Sequence, residues 1–118
     1  MIKLYYKYFE IIYITLGSEY MEYESKLISD DMDKLFEAIL LLKDKDDCYR
    51  FFEDVCSIKE LQTIAQRLHV AVLLKEKKTY TEIEKITGAS TTTISRVNRC
   101  ILYGADGYNR ILQRMMED

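Results

Sequence analysis

From Ser29 onward, apolar residues recur at helical spacing and are punctuated by residues that start or stop helices. Behind Asp30 and Asp31, the stripe Leu35, Phe36, Ile39, Leu40 and Leu42 predicts a first helix with Lys43 near its end. A second, short helix follows the Asp44–Asp47 cluster, with Tyr49, Phe52 and Val55 spaced i, i+3, i+6. Ser57-Ile58-Lys59-Glu60 has the form of a capping box, in which the hydroxyl takes an orphan amide and the glutamate reaches back. It opens a longer third helix whose buried side is expected to be Leu61, Ile64, Ala65, Leu68, Val72 and Leu73, ending at Glu76-Lys77-Lys78.

Thr79-Tyr80-Thr81-Glu82 is a second capping box. Its helix is only about two turns long, because Gly88 can adopt the left-handed conformation that ends a helix. Ser90 is placed to cap the next helix, from Thr91 to about Tyr103. Ile83, Ile86, Ala89, Ile94 and Val97 stand where two crossing helices interlock, so residues 79–103 have the pattern of a helix-turn-helix. A last helix after Asp106-Gly107 carries Ile111, Leu112 and Met115. The reading is all-α, with about six helices.

Composition agrees. The chain has 118 residues, enough for one domain, with no proline and four glycines, too few turn residues for a β-sandwich. No apolar run approaches the ~20 residues of a membrane span. Residues 1–20 differ from the rest, holding five of the ten tyrosines. They read as a weak signal sequence without a cleavage site, a β-prone arm, a short helix, or translated sequence ahead of a natural start at Met21. The last is favoured, so residues 21–118 are taken as the domain and no function is placed on residues 1–20.

Cys48, Cys56, Cys100 and His69 make a poor catalytic or metal-binding set, with no C-x-x-C pair. Cys56 and His69 could be imagined as nucleophile and base, but the cysteines are better read as small buried hydrophobes in a reduced, cytoplasmic protein. No enzyme chemistry, metal or cofactor is expected.

Charge is segregated. Residues 1–56 hold 7 Lys and Arg against 13 Asp and Glu, whereas residues 57–118 hold 10 against 7. On the helix from Thr91, Ile94, Val97 and Ile101 share one side, leaving Thr92, Ser95, Arg96 and Arg99 on the other. Hydroxyls can bond phosphate or base edges, arginine can fork onto guanine, and a helix start at Thr91 favours an anion. With Lys85, these residues (Thr91, Thr92, Ser95, Arg96 and Arg99) are the candidate contacts to double-stranded DNA. One feature dissents: Glu84 stands at the fifth position of the first helix, where many such motifs have alanine.

The segments SIKELQTIAQRLHVAVLLKE and YTEIEKITGASTTTISRVNRCIL resemble the Trp repressor family, GASTTTISR most specifically. With CYRFFEDVCSIKELQTIAQRL, the likeness over about residues 30–116 is nearer the YerC/YecD-type Trp repressor-like proteins of Gram-positive bacteria. The resemblance implies an intertwined homodimer and a sequence-specific transcription regulator. It also implies a possible effector pocket at Arg67, Arg96, Val97 and Cys100, two arginines of the family sandwiching tryptophan. Val97 replaces the family's glycine there and Cys100 its serine, so L-tryptophan is not expected to be the effector. The alternative, from a different class, is a dimeric interaction module that keeps the fold without binding an operator.

Overall fold

A computed structural model describes residues 22–117. Residues 1–20, read above as an extension, lie outside the described residues. The chain divides into two units, one ending at Cys48 and the other running from Tyr49. Among the described residues there are six helices and no strand.

In the first unit, α1 spans Asp30–Ile39. The Ser29 hydroxyl accepts the Met32 amide at 3.1 Å, and Asp30, Asp31 and Asp33 complement the positive end of the helix. The helix is one turn shorter than predicted. Leu41 and Leu42 bond the carbonyls of Ala38 and Ile39 in a tight three-residue step, and the Lys43 amide donates to the Asp47 carboxylate. The apolar run Leu40-Leu41-Leu42 is thus drawn into a turn rather than a helix face. No residue of α1 is buried, and Phe36, Leu40 and Leu41 are exposed.

Helix α2 (Lys45–Val55) begins inside the acidic cluster, where Asp44 caps the Asp47 amide at 2.8 Å. Its expected stripe is not covered: Tyr49 and Val55 are exposed and Phe52 is half-buried, its ring edge-on to that of Phe51 at 5.4 Å.

The second unit contains α3 (Ile58–Lys75), α4 (Tyr80–Thr87), α5 (Thr91–Tyr103) and α6 (Gly107–Glu117). Both capping boxes form with reciprocal bonds, Ser57 with Glu60 and Thr79 with Glu82. The core joins Val70, Ala71 and Leu73 of α3 to Ile83 of α4, Ala89 of the turn, Ile94 and Val97 of α5, and Leu112 of α6. Helix α3 packs on all three of the others.

The side of α3 that enters this core is not the expected one. At about 100° per residue, Val70, Leu73 and Leu74 lie on one side, and Leu61, Ile64, Ala65, Leu68 and Val72 on the opposite side. Of the predicted set only Leu73 is buried; Ile64 and Ala65 are exposed, and Leu61, Leu68 and Val72 are half-buried. The helix has two apolar faces: the chain's own core buries the one around Val70, while on the other Leu68 and Val72 are only partly buried against it and Ile64 and Ala65 stay exposed. Helix α4 also departs in one position, since Ile86 is exposed. An eight-residue helix turns one residue squarely inward, and Ile83 fills that place.

Candidate nucleic-acid interface

The corner between α4 and α5 is held by backbone geometry and three polar ties. Gly88 ends α4 with φ +73°, and its amide donates to the Glu84 carbonyl at 2.9 Å. The Thr87 hydroxyl donates to the Ile83 carbonyl at 2.7 Å and accepts the Ala89 amide at 3.1 Å. From α3, the Gln66 amide donates to the Thr87 carbonyl at 3.1 Å, fastening the corner to the longest helix. At the far end of α5, the Asn109 amide donates to the Ile101 carbonyl, a bond that holds α6 against α5, and to the Asp106 carboxylate just ahead of α6. Spacing did not single out Gln66, Thr87 or Asn109. Gln66 lies on the side of α3 that the stripe Leu61, Ile64, Ala65, Leu68 and Val72 marked as outward, so the sequence carried no signal for it.

The Ser90 hydroxyl accepts the Thr93 amide at 3.2 Å and lies 3.2 Å from the Thr93 hydroxyl. These two hydroxyls are committed to starting α5. Ile94 and Val97 are buried on its inner side. Thr91, Thr92, Ser95, Arg96 and Arg99 are all exposed and together line one open concavity of about 340 Å³. None of the five side chains has a hydrogen-bond or ion-pair partner among the described residues. Donors left unengaged on a surface are free to meet an acceptor-rich ligand. Lys85 is exposed in the last turn of α4, outside this concavity, and Glu84 is half-buried.

Of the residues of the possible effector pocket, Arg67 and Arg96 line different concavities. Arg67 lines a separate concavity of about 380 Å³ at the start of α3, with Ser57, Lys59, Glu60, Thr63 and Ile64. Arg96 belongs to the outer face of α5, Val97 is 2 % exposed within the core, and Cys100 is exposed. Tyr108, which the spacing did not flag, packs against the core. Burial pushes its phenol above the ordinary value, the Cys100 thiol adding to the rise and the Arg67 guanidinium opposing it. An aromatic ring of the chain itself is therefore within electrostatic reach of both Arg67 and Cys100. The cysteines are not the buried hydrophobes expected: Cys48 and Cys100 are exposed, and Cys56 is half-buried.

The profile of the Trp repressor protein family matches residues 30–116. The chain belongs to the Trp repressor family. It is 55 % identical over 92 residues to the uncharacterized protein YerC of Bacillus subtilis, spanning 78 % of this chain and 88 % of that protein. The crystal structure of a TrpR-like protein from Eubacterium eligens superposes with a TM-score of 0.75 at 52 % identity, covering 78 % of this chain and 95 % of that one. A Trp repressor candidate from Staphylococcus aureus gives 0.75 at 47 % identity, over 79 % and 93 %. The Trp repressor family is one of DNA-binding regulators, not of enzymes. No helix among the described residues is long and apolar enough to cross a membrane.

Proposed function

We propose that this protein is a sequence-specific transcriptional regulator, a repressor, acting in the cytoplasm as a homodimer that sets α5 into the major groove of DNA. The observation that carries the reading is the division of α5 into two sides. Ile94 and Val97 are locked in the core, while Thr91, Thr92, Ser95, Arg96 and Arg99 share one outward concavity with no partners among the described residues. A helix so divided is fixed in orientation by the same packing that leaves its donors facing out. Hydroxyls and guanidinium groups match phosphate oxygens and the acceptors of base edges. The amide end of α5 carries no acid in its first turn, so nothing there repels phosphate.

Dimerisation is supported by the second apolar face of α3 and by the exposed Phe36, Leu40, Ile111 and Met115. Apolar surface on this scale marks interfaces on soluble proteins. A two-fold pair presents two copies of α5 to half-sites about one helical turn apart. Light scattering at micromolar concentration should give about 28 kDa, twice the 14.0 kDa chain; a stable monomer removes the dimeric reading. For DNA, purified protein is used to capture sheared genomic fragments, which are sequenced. A specific regulator enriches a pseudo-palindromic site and keeps its preference as salt rises, with Arg96→Ala/Arg99→Ala losing it. Absence of enrichment favours an interaction module that kept the fold without an operator.

A further inference from the structure

The functional groups on the outer side of α5 say more than that DNA is bound: they restrict which bases it can read. This step rests on the proposed DNA-binding reading and deepens it. We infer that each half-site carries a guanine read by Arg96, with a thymine methyl group no more than about two base-pair steps away.

The hydroxyls of this segment fall into two groups. Those of Ser90 and Thr93 are engaged with each other and with the helix start, so they are withdrawn from recognition. Those of Thr91, Thr92 and Ser95 remain, and with them the two threonine methyls, the only methyl groups among the residues lining the concavity. Apolar contact in the major groove is made to the C5 methyl of thymine.

The face lacks the groups that other bases call for. Bidentate reading of adenine uses asparagine or glutamine, and acceptance from the cytosine amino group uses a carboxylate. The concavity holds neither. Asn98 is half-buried and lies about 120° round the helix from Thr92. Guanidinium remains, and its match is guanine O6 and N7.

Position separates the two arginines. The N-terminal residues of a recognition helix meet base edges. Arg96 lies one turn beyond Thr92, about 6 Å along the axis at 1.5 Å per residue, which is under two base-pair rises of 3.4 Å. Arg99 lies about 10 Å beyond Thr92 on the same side, toward the end that leaves the groove, and holds phosphate. A guanine and a thymine methyl are therefore the adjoining marks of the half-site.

The test selects binding sites from a randomised duplex library with full-length protein, then replaces bases in the selected site. Exchanging the conserved guanine for 7-deazaguanine, which deletes N7 and keeps O6, should weaken binding roughly 2- to 12-fold, as loss of one hydrogen bond of the fork predicts. Exchanging the neighbouring thymine for uracil, which deletes only the methyl, should weaken it about three- to fivefold. Arg96→Ala should abolish the guanine preference and make the 7-deazaguanine exchange silent, whereas Arg99→Ala should lower affinity for all sequences and reduce the salt slope by about one. A selected site without guanine in its half-sites, or one indifferent to both exchanges, overturns this inference and leaves the regulator intact. A library that yields no preferred site overturns both.

Discussion

Replacing Gly88 isolates the physics of the helix corner from its packing. A Cβ built at Gly88 meets nothing within 4 Å, so Gly88→Ala introduces no clash. Its cost is conformational: φ +73° puts an L-residue in the left-handed region, at roughly 1–2 kcal/mol. The loss of glycine's freedom in the unfolded chain returns about 0.4–1 kcal/mol, leaving a net destabilisation near 1 kcal/mol. For a helical unit of this size that lowers Tm by about 4–8 °C. Asparagine tolerates the left-handed region, so Gly88→Asn should lose less than half as much. Gly104 provides the contrasting case. Its φ of −86° is ordinary, but an added Cβ would stand 2.5 Å from the Cys100 carbonyl oxygen, which belongs to the backbone of α5. Gly104→Ala should therefore cost more, roughly 1–3 kcal/mol by overpacking, and Gly104→Asn should bring no relief. Urea melts followed by far-ultraviolet circular dichroism, at one fixed protein concentration, measure all four variants. Equal losses for alanine and asparagine at Gly88, or a milder loss at Gly104 than at Gly88, would refute the assignment of strain to one site and sterics to the other.

Ile94 is fully buried where α5 meets the core, so Ile94→Ala should destabilise the fold by about 2–5 kcal/mol in the same melts; a loss under 1 kcal/mol would mean that α5 is not held through this residue. The Thr79 amide and hydroxyl hold the Glu82 carboxyl below its ordinary 4.5, and the Ser57 hydroxyl and amide do the same for Glu60. A carboxylate with a depressed folded pKa contributes stability above the unfolded value and loses it as pH falls through the folded one. The Tm difference between wild type and Glu82→Gln should accordingly be present at pH 6, shrink as the pH falls below 4.5 and vanish once it is below the folded value; a difference constant with pH would refute the ionic contribution. L-tryptophan should give no heat of binding and leave DNA affinity unchanged, because Val97 fills its place in the core and Arg67 and Arg96 line separate concavities; calorimetry showing tight binding, with a matching gain in operator affinity, would restore co-repression by that ligand.

Local chemistry was legible where one residue's side chain closes its own neighbourhood. Ser57 with Glu60, Thr79 with Glu82, Ser90 with Thr93, and Gly88 act within four residues, so sequence spacing alone specifies each bond or dihedral. The two ends of α4 and the start of α5 were read to the residue for this reason. The outward and inward sides of α5 were legible too, because apolar and polar residues segregate cleanly around it. Helix α3 was not, for a physical reason. Its residues Val70, Leu73 and Leu74 oppose Leu61, Ile64, Ala65, Leu68 and Val72, and the hydrophobic effect is non-directional. Either face satisfies a helical period, and only tertiary packing decides which one this chain covers. The misjudged end of α1 has a different origin: the Asp47 carboxylate takes the Lys43 amide, a local bond that the stripe Leu35, Phe36, Ile39, Leu40 and Leu42 does not reveal. The surplus face of α3 and the uncovered stripes of α1 and α2 are thus one observation: this sequence encodes more apolar surface than its own core buries. That surplus supports a two-fold partner as strongly as the free donors of α5 support DNA. The two readings reinforce each other, because a palindromic operator needs two recognition helices held at a fixed separation.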